Sequence, residues 1–512
     1  MQGQPMIIMG DDSQRVQDED AQSHNINAAR AVSDSVRSTL GPKGMDKMLV
    51  SSMGDVTVTN DGVTILTEMD INNPTAEMIV EVAETQEDEA GDGTTTAVAV
   101  AGELLKNAEG LLEQDIHPTA IIKGLRMASD HARDEIGELA EQIDADDTDR
   151  VRKVAETSMT GKGAESNKEQ LANLIVDAVQ NVTVETDAGE NVVDLEYVNI
   201  ETQTGQSASD STLLDGAVIS KDPVHDNMPS EAEDASVLLL SEAVEVEEAN
   251  VDSQVSLSDP DQLQQFLDQE DEQLKAKVDQ IKETGADVVF CQKGIDDLAQ
   301  HYLAKEGILA VRRAKKSDLE FLKEVLGATI VSDLSSATEA DLGTGSVTRD
   351  EEGGLFYVEG DDSHGVTILL RGSTDHVVDE LERGITDALE VVAQTVSDGR
   401  VLAENAGLDP IDTLVDLRSA HESGDQHAGL NVYDGDVEDT YEAGVVEPAH
   451  AKEQALSSAT EAANLVLKID DIISAGDLTT EGDEDAGGPG GPGGAPGGMG
   501  GMGGMGGMGG MM

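Results

Sequence analysis

Apolar residues recur every three or four positions over long stretches near both ends of the chain, a spacing that places them on one face of a helix. The pattern predicts helices over residues 25–40, 73–91 and 117–139, another that begins at about Thr94, and one with Pro448 in its first turn. Proline suits that position because the N–H groups of a first turn need no partner within the helix.

The pattern changes in the middle of the chain. Short apolar stretches at 286–291, 308–313 and 328–334 alternate there with helical patterns at 294–307 and 316–327. This β-α-β-α-β alternation is typical of an α/β domain with parallel strands. Because helical material occurs at both chain ends, we interpret the α/β unit as an insertion into a discontinuous, mostly helical outer domain.

Further elements surround this unit. Strands are predicted at 235–240 and 365–372, and a helix at 374–396 follows the second of them. The segment 242–283 is very polar but contains a long helix with few apolar anchors. The predicted fold class is therefore multi-domain, combining α and α/β parts.

A hairpin is predicted at residues 55–66, where polar and apolar residues alternate on both sides of Asn60-Asp61-Gly62. Such a tripeptide suits a tight turn between two strands. Asp61 would lie at the tip of this hairpin, and on its own it indicates turn chemistry.

The charge of the chain is extreme. Its 512 residues include 105 acidic and 32 basic side chains, and the net charge of −73 is spread along the sequence. Such a surface repels itself in dilute buffer, whereas at about 1 M salt the screening length falls to ~3 Å. The composition predicts a protein of a very salty cytoplasm that loses structure or assembly at low salt. Nucleic acid is a poor partner, because phosphate binding requires clustered Lys and Arg.

The other bulk features favour a cytoplasmic protein. The chain has no apolar run of 18 residues that would span a membrane, and its N-terminus resembles neither a signal nor a transit peptide. Its one cysteine, Cys291, excludes an internal disulfide. It lies in an apolar stretch, so we interpret it as a core residue.

One short stretch has the composition of a phosphate loop. Residues 91–96 are Gly-Asp-Gly-Thr-Thr-Thr and open a predicted helix. Glycines let the backbone approach an anion, the first N–H groups of a helix favour negative charge, and threonine hydroxyls donate to phosphate oxygens. A carboxylate at Asp92 fits beside phosphates only with a cation between them, which indicates Mg²⁺. The alternative is a polar, capped helix start.

Two other stretches are ambiguous in isolation. Leu40-Gly41-Pro42 is a helix stop. Asp387 lies away from the apolar stripe of its predicted helix, and in so acidic a chain the simplest interpretation is a solvated face.

Taken together and in order, these stretches resemble the group II chaperonins of the chaperonin-60/TCP-1 family, most of all the archaeal thermosome subunits of salt-adapted organisms. The similarity covers nearly the whole chain. It rests on TLGPKGMDKMLV (39–50), TNDGVTIL (59–66), GDGTTTAV (91–98), TSMTGKG (157–163), TDALEVV (386–392), ENAGLDPIDTLVDLR (404–418) and GVVEPAHAKEQALSSATEAANLVLKIDDII (444–473).

The resemblance implies a subunit of a double ring that encloses non-native proteins and is driven by ATP binding and hydrolysis. Its partners would be other chaperonin subunits and unfolded client proteins. The implied domains are equatorial (1–145 and 401–485), intermediate (146–213 and 368–400) and apical (214–367, with a lid protrusion near 242–283), followed by a disordered Gly/Met tail (486–512).

The resemblance also implies a site for ATP and Mg²⁺. Asp61 and Asp387 would be the catalytic carboxylates near the attacking water, and Asp92 would hold Mg²⁺. Lys162 would sense the γ-phosphate, and Glu447 would lie at the ribose and adenine side. The implied phosphate contacts are Thr39, Leu40, Gly41, Pro42, Gly91, Asp92, Gly93, Thr94, Thr95 and Thr96.

The chain departs from the family pattern after Arg400. The family continues there with a glycine triplet and further helices, whereas here VLAENAGLDP follows directly. The missing helices would pack against those that start at Thr94 and Pro448. Two readings therefore stay open: an active ATPase subunit, or a structural or client-binding ring subunit with impaired hydrolysis. A small-molecule kinase is weaker, because the histidines, cysteine and serines form no substrate constellation.

Overall fold

The structure is a computed structural model of the chain. It describes residues 14–51, 53–164, 167–186, 191–246, 260–350, 354–360, 365–403, 417–431 and 436–474. The predicted Gly/Met tail and the stretch 404–416 lie outside these ranges.

The first part of the chain is mainly helical, as predicted. The helix before the phosphate-loop stretch starts at Pro74, where the Asn73 side chain accepts hydrogen bonds from the first N–H groups, and it stops at the left-handed Gly91. The elements are β1 (Gln14–Gln17), α1 (Asp18–Val36), β2 (Lys47–Val50), β3 (Val56–Thr59), α2 (Gly62–Thr67), α3 (Pro74–Ala90), α4 (Thr94–Leu112), α5 (Pro118–Leu139) and β4 (Glu141–Gln142).

The hairpin predicted around Asp61 is wrong. The antiparallel pair is β2 with β3, beyond whose ends Ser51 N donates to Asp55 O at 2.9 Å, and a helix starts at Gly62. The Asp61 carboxylate caps that helix by accepting a hydrogen bond from Thr64 N at 2.7 Å. The first N–H groups of a helix have no partner within the helix, and a carboxylate there accepts hydrogen bonds from them. At Asp61 this capping favours a helix although the following residues alternate as in a strand.

The middle of the chain forms the predicted α/β unit and the elements that lead into it. They are α6 (Thr148–Ser158), α7 (Lys168–Val182), β5 (Thr183–Glu185), β6 (Asn191–Val193), β7 (Val198–Thr204), β8 (Thr212–Asp215), β9 (Ala217–Ser220), β10 (Glu231–Leu240), α8 (Pro260–Thr284), β11 (Val288–Cys291), α9 (Asp297–Glu306), β12 (Leu309–Val311), α10 (Lys316–Leu326), β13 (Ile330–Val331), β14 (Gly343–Asp350) and β15 (Leu355–Gly360).

The α/β sheet is mixed rather than wholly parallel. Strand β10 pairs in parallel with β11 and β13, and β11 pairs in parallel with β12, as the alternation predicts. On its other side β10 pairs antiparallel with β14, which is followed by β15 and β9. Cys291 ends strand β11 and is fully buried, which confirms it as a core residue.

The last part of the chain returns to the helical body. Helix α13 (Ala449–Val466) packs on α3, α4 and α5, and β21 (Asp471–Ser474) pairs with β1. Pro448 caps α13 as the residue before its first turn, one position earlier than predicted. The elements are β16 (Val366–Gly372), α11 (Asp375–Asp398), β17 (Arg400–Ala403), β18 (Ala428–Leu430), β19 (Val437–Asp439), α12 (Thr440–Ala443), β20 (Val446–Pro448), α13 (Ala449–Val466) and β21 (Asp471–Ser474).

Three large buried cores follow from this path. One joins α1, α3 and α4 to α13 and thus unites both chain ends. The second joins α6 and α7 to β16 and α11. The third fills the inserted α/β unit. The architecture is therefore multi-domain, with helical material outside and an α/β insertion. Among the described helices none is both long and apolar enough to cross a membrane.

Candidate functional site

A cavity of about 400 Å³ lies where α4 begins, where α6 ends and where α13 begins. Most of the residues predicted from sequence meet there. Gly91 and Asp387 are not among the described residues that line it: Gly91 ends α3 just behind it, and Asp387 reaches it through Lys162. The predicted residues that line the cavity are Thr39, Leu40, Gly41, Pro42, Asp61, Asp92, Gly93, Thr94, Thr95, Thr96, Lys162 and Glu447.

The turn between α3 and α4 is fixed by glycine conformations and by one buried amide. Gly91 and Gly93 have φ of 63° and 82°, the left-handed region that other residues rarely adopt. The buried Gln86 side chain donates to the carbonyl oxygens of Asp92 at 2.8 Å and Ala451 at 3.1 Å. The turn is thus tied to α13, and the start of α4 faces the cavity with its free N–H groups.

The N-termini of α2 and α4 meet closely at one wall of the cavity. Thr94 Oγ1 lies 3.5 Å from Asp61 Oδ1, whose other oxygen caps α2. A Cβ added to Gly62 would lie 2.5 Å from Thr95 Oγ1 and 2.9 Å from Thr94 Oγ1. Only glycine therefore permits this approach, which places two threonine hydroxyls against the start of α2 and one of them beside the Asp61 carboxylate.

Lys162 bridges two carboxylates at the centre of the site. Its Nζ lies 2.7 Å from Asp387 Oδ2 and 3.5 Å from Asp92 Oδ1. Burial alone lowers the pKa of the Lys162 ammonium. The charges of Asp387 and Asp92 together raise that pKa by more than burial lowers it, so the net shift is upward. Lys162 therefore stays charged. Its loop is held by Asn60, whose amide donates to Gly161 O at 2.6 Å.

Asp387 is buried, so the interpretation of a solvated helix face is wrong. It turns away from the apolar stripe of α11 but faces the cavity wall and is only 7% exposed. Burial raises the pKa of Asp387 to about 6, with Lys162 opposing the shift and Asp92 adding to it. At neutral pH it is mainly ionised and paired with Lys162.

Two further carboxylates lie beside the site, Glu87 and Glu390, and the sequence analysis identified neither of them. Burial, with the charges of Asp387 and Asp61, raises the pKa of Glu87 to about 9. Burial and Asp387 likewise raise the pKa of Glu390 to about 7. A signal existed for Glu87: it follows the buried Ile79 and Ala83 at four-residue spacing on the inner face of α3.

The far end of the cavity includes several residues that the sequence analysis did not identify. Lys153 pairs with Glu156 at 2.6 Å, and Lys452 pairs with Glu447 at 2.8 Å. Short elements from residues 428–447, distant in the sequence, close this end. The lining residues that sequence reasoning missed include Lys153, Glu156, Leu430, Asn431, Glu438, Thr440, Gly444 and Lys452.

A second cavity of about 360 Å³ adjoins this far end. The two cavities share Thr96, Glu447, Lys452 and Ala455. The described residues of the second cavity are mostly apolar, with a few polar groups near the shared wall. They are Val100, Ile136, Leu139, Leu402, Leu456, Gln426 and His427, besides the shared four.

Comparison with known proteins gives one consistent family. The sequence profile of the TCP-1/cpn60 chaperonin family matches residues 32–403 and residues 399–477. Thermosome subunit 2 of Haloferax volcanii is 68% identical, over 95% of this chain and 96% of its own length. Thermosome subunit beta of Halobacterium salinarum is also 68% identical, over 94% of this chain and 95% of its own.

A solved structure agrees with these sequence matches. The open-state monomer of a group II chaperonin from Methanococcoides burtonii aligns with a TM-score of 0.57 and 38% identity. The alignment covers 74% of this chain and 100% of that one. The two family-profile segments overlap at 399–403, so the profile match is interrupted at the point where the sequence departs from the family.

Proposed function

The chain belongs to the TCP-1/cpn60 chaperonin family and is an ATP-dependent protein-folding chaperonin subunit, and we propose that the 400 Å³ cavity is its ATP-hydrolysing site. The single observation that carries this assignment is the position of Lys162 between Asp387 and Asp92, in the same cavity that the helix start at Thr94 lines. The Lys162 ammonium and the free N–H groups at the start of α4 both border this cavity, where they would stabilise the charge that develops in phosphoryl transfer.

The residues of the site fit a magnesium ion bound together with ATP phosphates. Among the described residues no group of three or more His, Cys, Asp or Glu side chains would hold a metal without other ligands. Mg²⁺ commonly uses one or two carboxylates and takes its other ligands from substrate phosphates and water. Asp92 is such a carboxylate, partly exposed beside the turn, and bound Mg²⁺ would there offset phosphate charge.

The chain's own groups divide the work of hydrolysis. Thr94 to Thr96 and the N-terminus of α4 bind phosphate oxygens, and Lys162 offsets charge that develops on the transferred phosphoryl group. Asp61 and Asp387 orient the attacking water and accept its proton. We assign Thr39–Pro42 to the walls of the phosphate pocket, Gly91 to the turn behind that pocket, and Glu447 to the ribose and adenine side.

The same proposal covers assembly and location. The subunit joins other chaperonin subunits, of its own or another kind, in a double ring that encloses unfolded proteins in the cytoplasm. The three buried cores support equatorial, intermediate and apical domains with the boundaries given above. Helix α8, which begins at Pro260, supports a protrusion in the region 242–283. The reading of impaired hydrolysis has no support among the comparisons.

Substitution of the two water-orienting carboxylates tests the assignment. Asp61→Asn keeps a cap on α2, and Asp387→Asn keeps the side-chain volume, so both remove charge with little change in shape. We expect each to lower the steady-state ATPase rate by about 10²–10⁴-fold while ATP still binds. The matched control is Asp147→Asn, because Asp147 caps α6 at an exposed position outside the cavity. Full ATPase activity in both site variants would refute the assignment.

A further inference from the structure

One face of α6 packs on residues 440–446, which comprise α12 and the turn into β20. Thr157 Oγ1 accepts a hydrogen bond from Val446 N at 3.3 Å. The stem of Lys153 lies against Gly444, where an added Cβ would be 2.8 Å from Lys153 Cδ. The two α6 residues are four positions apart and thus share one side of the helix. We call residues 440–446 the clamped segment.

Arg150 extends this face of α6 by three residues and makes two close contacts with Tyr441. Its Nη1 donates to Tyr441 O at 2.7 Å, and its guanidinium carbon lies 4.1 Å from the centroid of the Tyr441 ring. Arg150 Nη2 also lies 3.9 Å from Glu442 Oε1, but the Glu442 side chain is 74% exposed. Salt screens such an exposed ion pair, whereas the contacts with the carbonyl oxygen and the ring depend on salt much less. Arg150 therefore holds the clamped segment chiefly through Tyr441.

The clamped segment and α6 are anchored in different ways. The rings of Tyr441 and His427 lie 5.0 Å apart between centroids, and Thr440 N donates to His427 O at 3.0 Å. These contacts join the clamped segment only to the short stretch before β18. Helix α6, in contrast, buries another of its faces in the core that it shares with α7 and α11. Loss of the Arg150 side chain should therefore release the clamped segment and leave α6 in place.

Arg150 acts on the 400 Å³ cavity from outside. Neither Arg150 nor Tyr441 is among the described residues that line this cavity, but both elements that they join contribute to its walls. The lining residues from the clamped segment and from α6 are Thr440, Ala443, Gly444, Val445, Lys153, Val154, Glu156, Thr157 and Ser158. The contact between Arg150 and Tyr441 thus fixes two walls of the cavity relative to each other.

We propose that Arg150 is a positioning residue that raises the affinity of the cavity for ATP by holding the clamped segment on α6. This inference rests on the proposed function of the cavity. A wall that is already fixed loses less conformational entropy when nucleotide binds. The charged end has its own anchors, since Lys162 is held by Asp387 and Asp92. The effect of Arg150 therefore falls on nucleotide binding and not on the hydrolytic step.

Substitution of Arg150 tests this role through the separate values of KM and kcat. Arg150→Met keeps an apolar stem but removes the charge and the donors. We expect the KM for ATP, and the Kd of a non-hydrolysable ATP analogue, to rise about tenfold while kcat changes less than about twofold. Arg150→Lys keeps a charged donor without the planar group, so its KM should lie between those of Arg150→Met and the wild type. The matched control is Arg133→Met, exposed on α5, which should change KM less than about twofold.

Hydrogen exchange without nucleotide shows whether the clamped segment is released. Val445 N donates to Thr440 O at 2.9 Å, and Val446 N donates to Thr157 Oγ1. Arg150→Met should speed the exchange of both amides, and the bound ATP analogue should slow it again. Circular dichroism and particle size in high salt check that each variant folds and assembles.

The outcomes separate this inference from the proposed function. Raised KM and Kd with unchanged kcat, faster exchange in the clamped segment and an intermediate Arg150→Lys variant support the role of Arg150. A wild-type KM in Arg150→Met, or a fall in kcat as large as the rise in KM, overturns it. If Arg150→Met does not fold, a wild-type KM in Arg150→Lys overturns it equally. In each case the ATP site stands if Asp61→Asn and Asp387→Asn lose turnover, whereas full turnover in both would overturn the site and this inference together.

Discussion

The two ends of the main cavity are built on different principles. The charged end holds Asp61, Asp92, Lys162 and Asp387, and each of these side chains has at least one polar partner that fixes it. The far end has two partly buried ion pairs, Lys153 with Glu156 and Glu447 with Lys452, and then adjoins the mostly apolar second cavity. From this difference we expect the chemistry to depend on the charged end and the far end to contribute mainly to nucleotide affinity.

Exchange of one lysine at each end tests this comparison most strongly. Lys162→Met removes the cation between Asp387 and Asp92, and we expect the ATPase rate to fall about 10²–10³-fold. Lys452→Met removes a cation of the same length at the far end, where the rate should fall less than about tenfold. Steady-state phosphate release in high salt measures both.

Equal losses in the two lysine variants would contradict the division between the ends. Nucleotide binding, followed by calorimetry, separates the causes: Lys162→Met should act on the rate more than on affinity, and Lys452→Met on affinity more than on the rate. Particle size checks that both variants still assemble.

The pH dependence of hydrolysis sharpens the role of Asp387. Because burial raises its pKa to about 6, its ionised form is lost as the pH falls through that value. We expect the rate to fall about tenfold per pH unit below about 6 in the wild type, and Asp387→Asn to lose this limb. The folded state binds the proton more tightly than the unfolded state does, so this group does not destabilise the fold on acidification.

The phosphate-loop part of the charged end is predictable from sequence because its contacts are local. The turn at 91–96 needs only its own glycines and the start of α4, and a cap such as Asp61 acts on residues three positions away. At Asp61 the sequence pattern predicts a hairpin turn and not a helix cap, because alternation extends through Val63 and Ile65 into the helix. Capping chemistry overrode the periodic pattern.

The far end was not predictable because it depends on tertiary contacts. Lys153 and Gly444 are distant in sequence, and their proximity follows only once α6 packs near β20. The same limit applies to Asp387: its helix pattern indicates a polar face, and only the position of Lys162 shows that this face is buried. The strands and helices of the α/β insertion are easier to predict from sequence, because each shows the spacing of apolar residues that is typical of its own type.

Substitution of Gly62 tests the close packing at the charged end, and its expected effect on ATP binding is smaller than the effects above. Gly62→Ala places a Cβ within 3 Å of two threonine hydroxyls, which must move away from the cavity. We expect ATP binding to weaken about tenfold, since one or two phosphate hydrogen bonds are displaced. The matched control is Gly110→Ala in α4, where a Cβ would meet no atom within 4 Å and alanine should stabilise the helix by up to ~1 kcal/mol. If both variants bind ATP alike, the close approach has no role in the site.

The smallest effect concerns Glu87, which lies behind the charged end with Asp387, Asp61 and Glu390 near it. Its pKa is raised from 4.5 to about 9, so the folded protein retains a proton that the unfolded chain loses above about pH 4.5. The stability that this group contributes therefore declines as the pH rises towards 9. Glu87→Gln keeps a neutral side chain throughout and should match the wild type at pH 5. Its thermal midpoint should exceed that of the wild type by roughly 5 °C at pH 9.

The matched control is Glu84→Gln. Glu84 is exposed on the same helix, and its substitution should change the midpoint by less than about 2 °C at either pH. A Glu87→Gln difference that stays constant with pH would mean that this carboxyl group is ionised in the fold, and that Lys162 balances more negative charge than we infer.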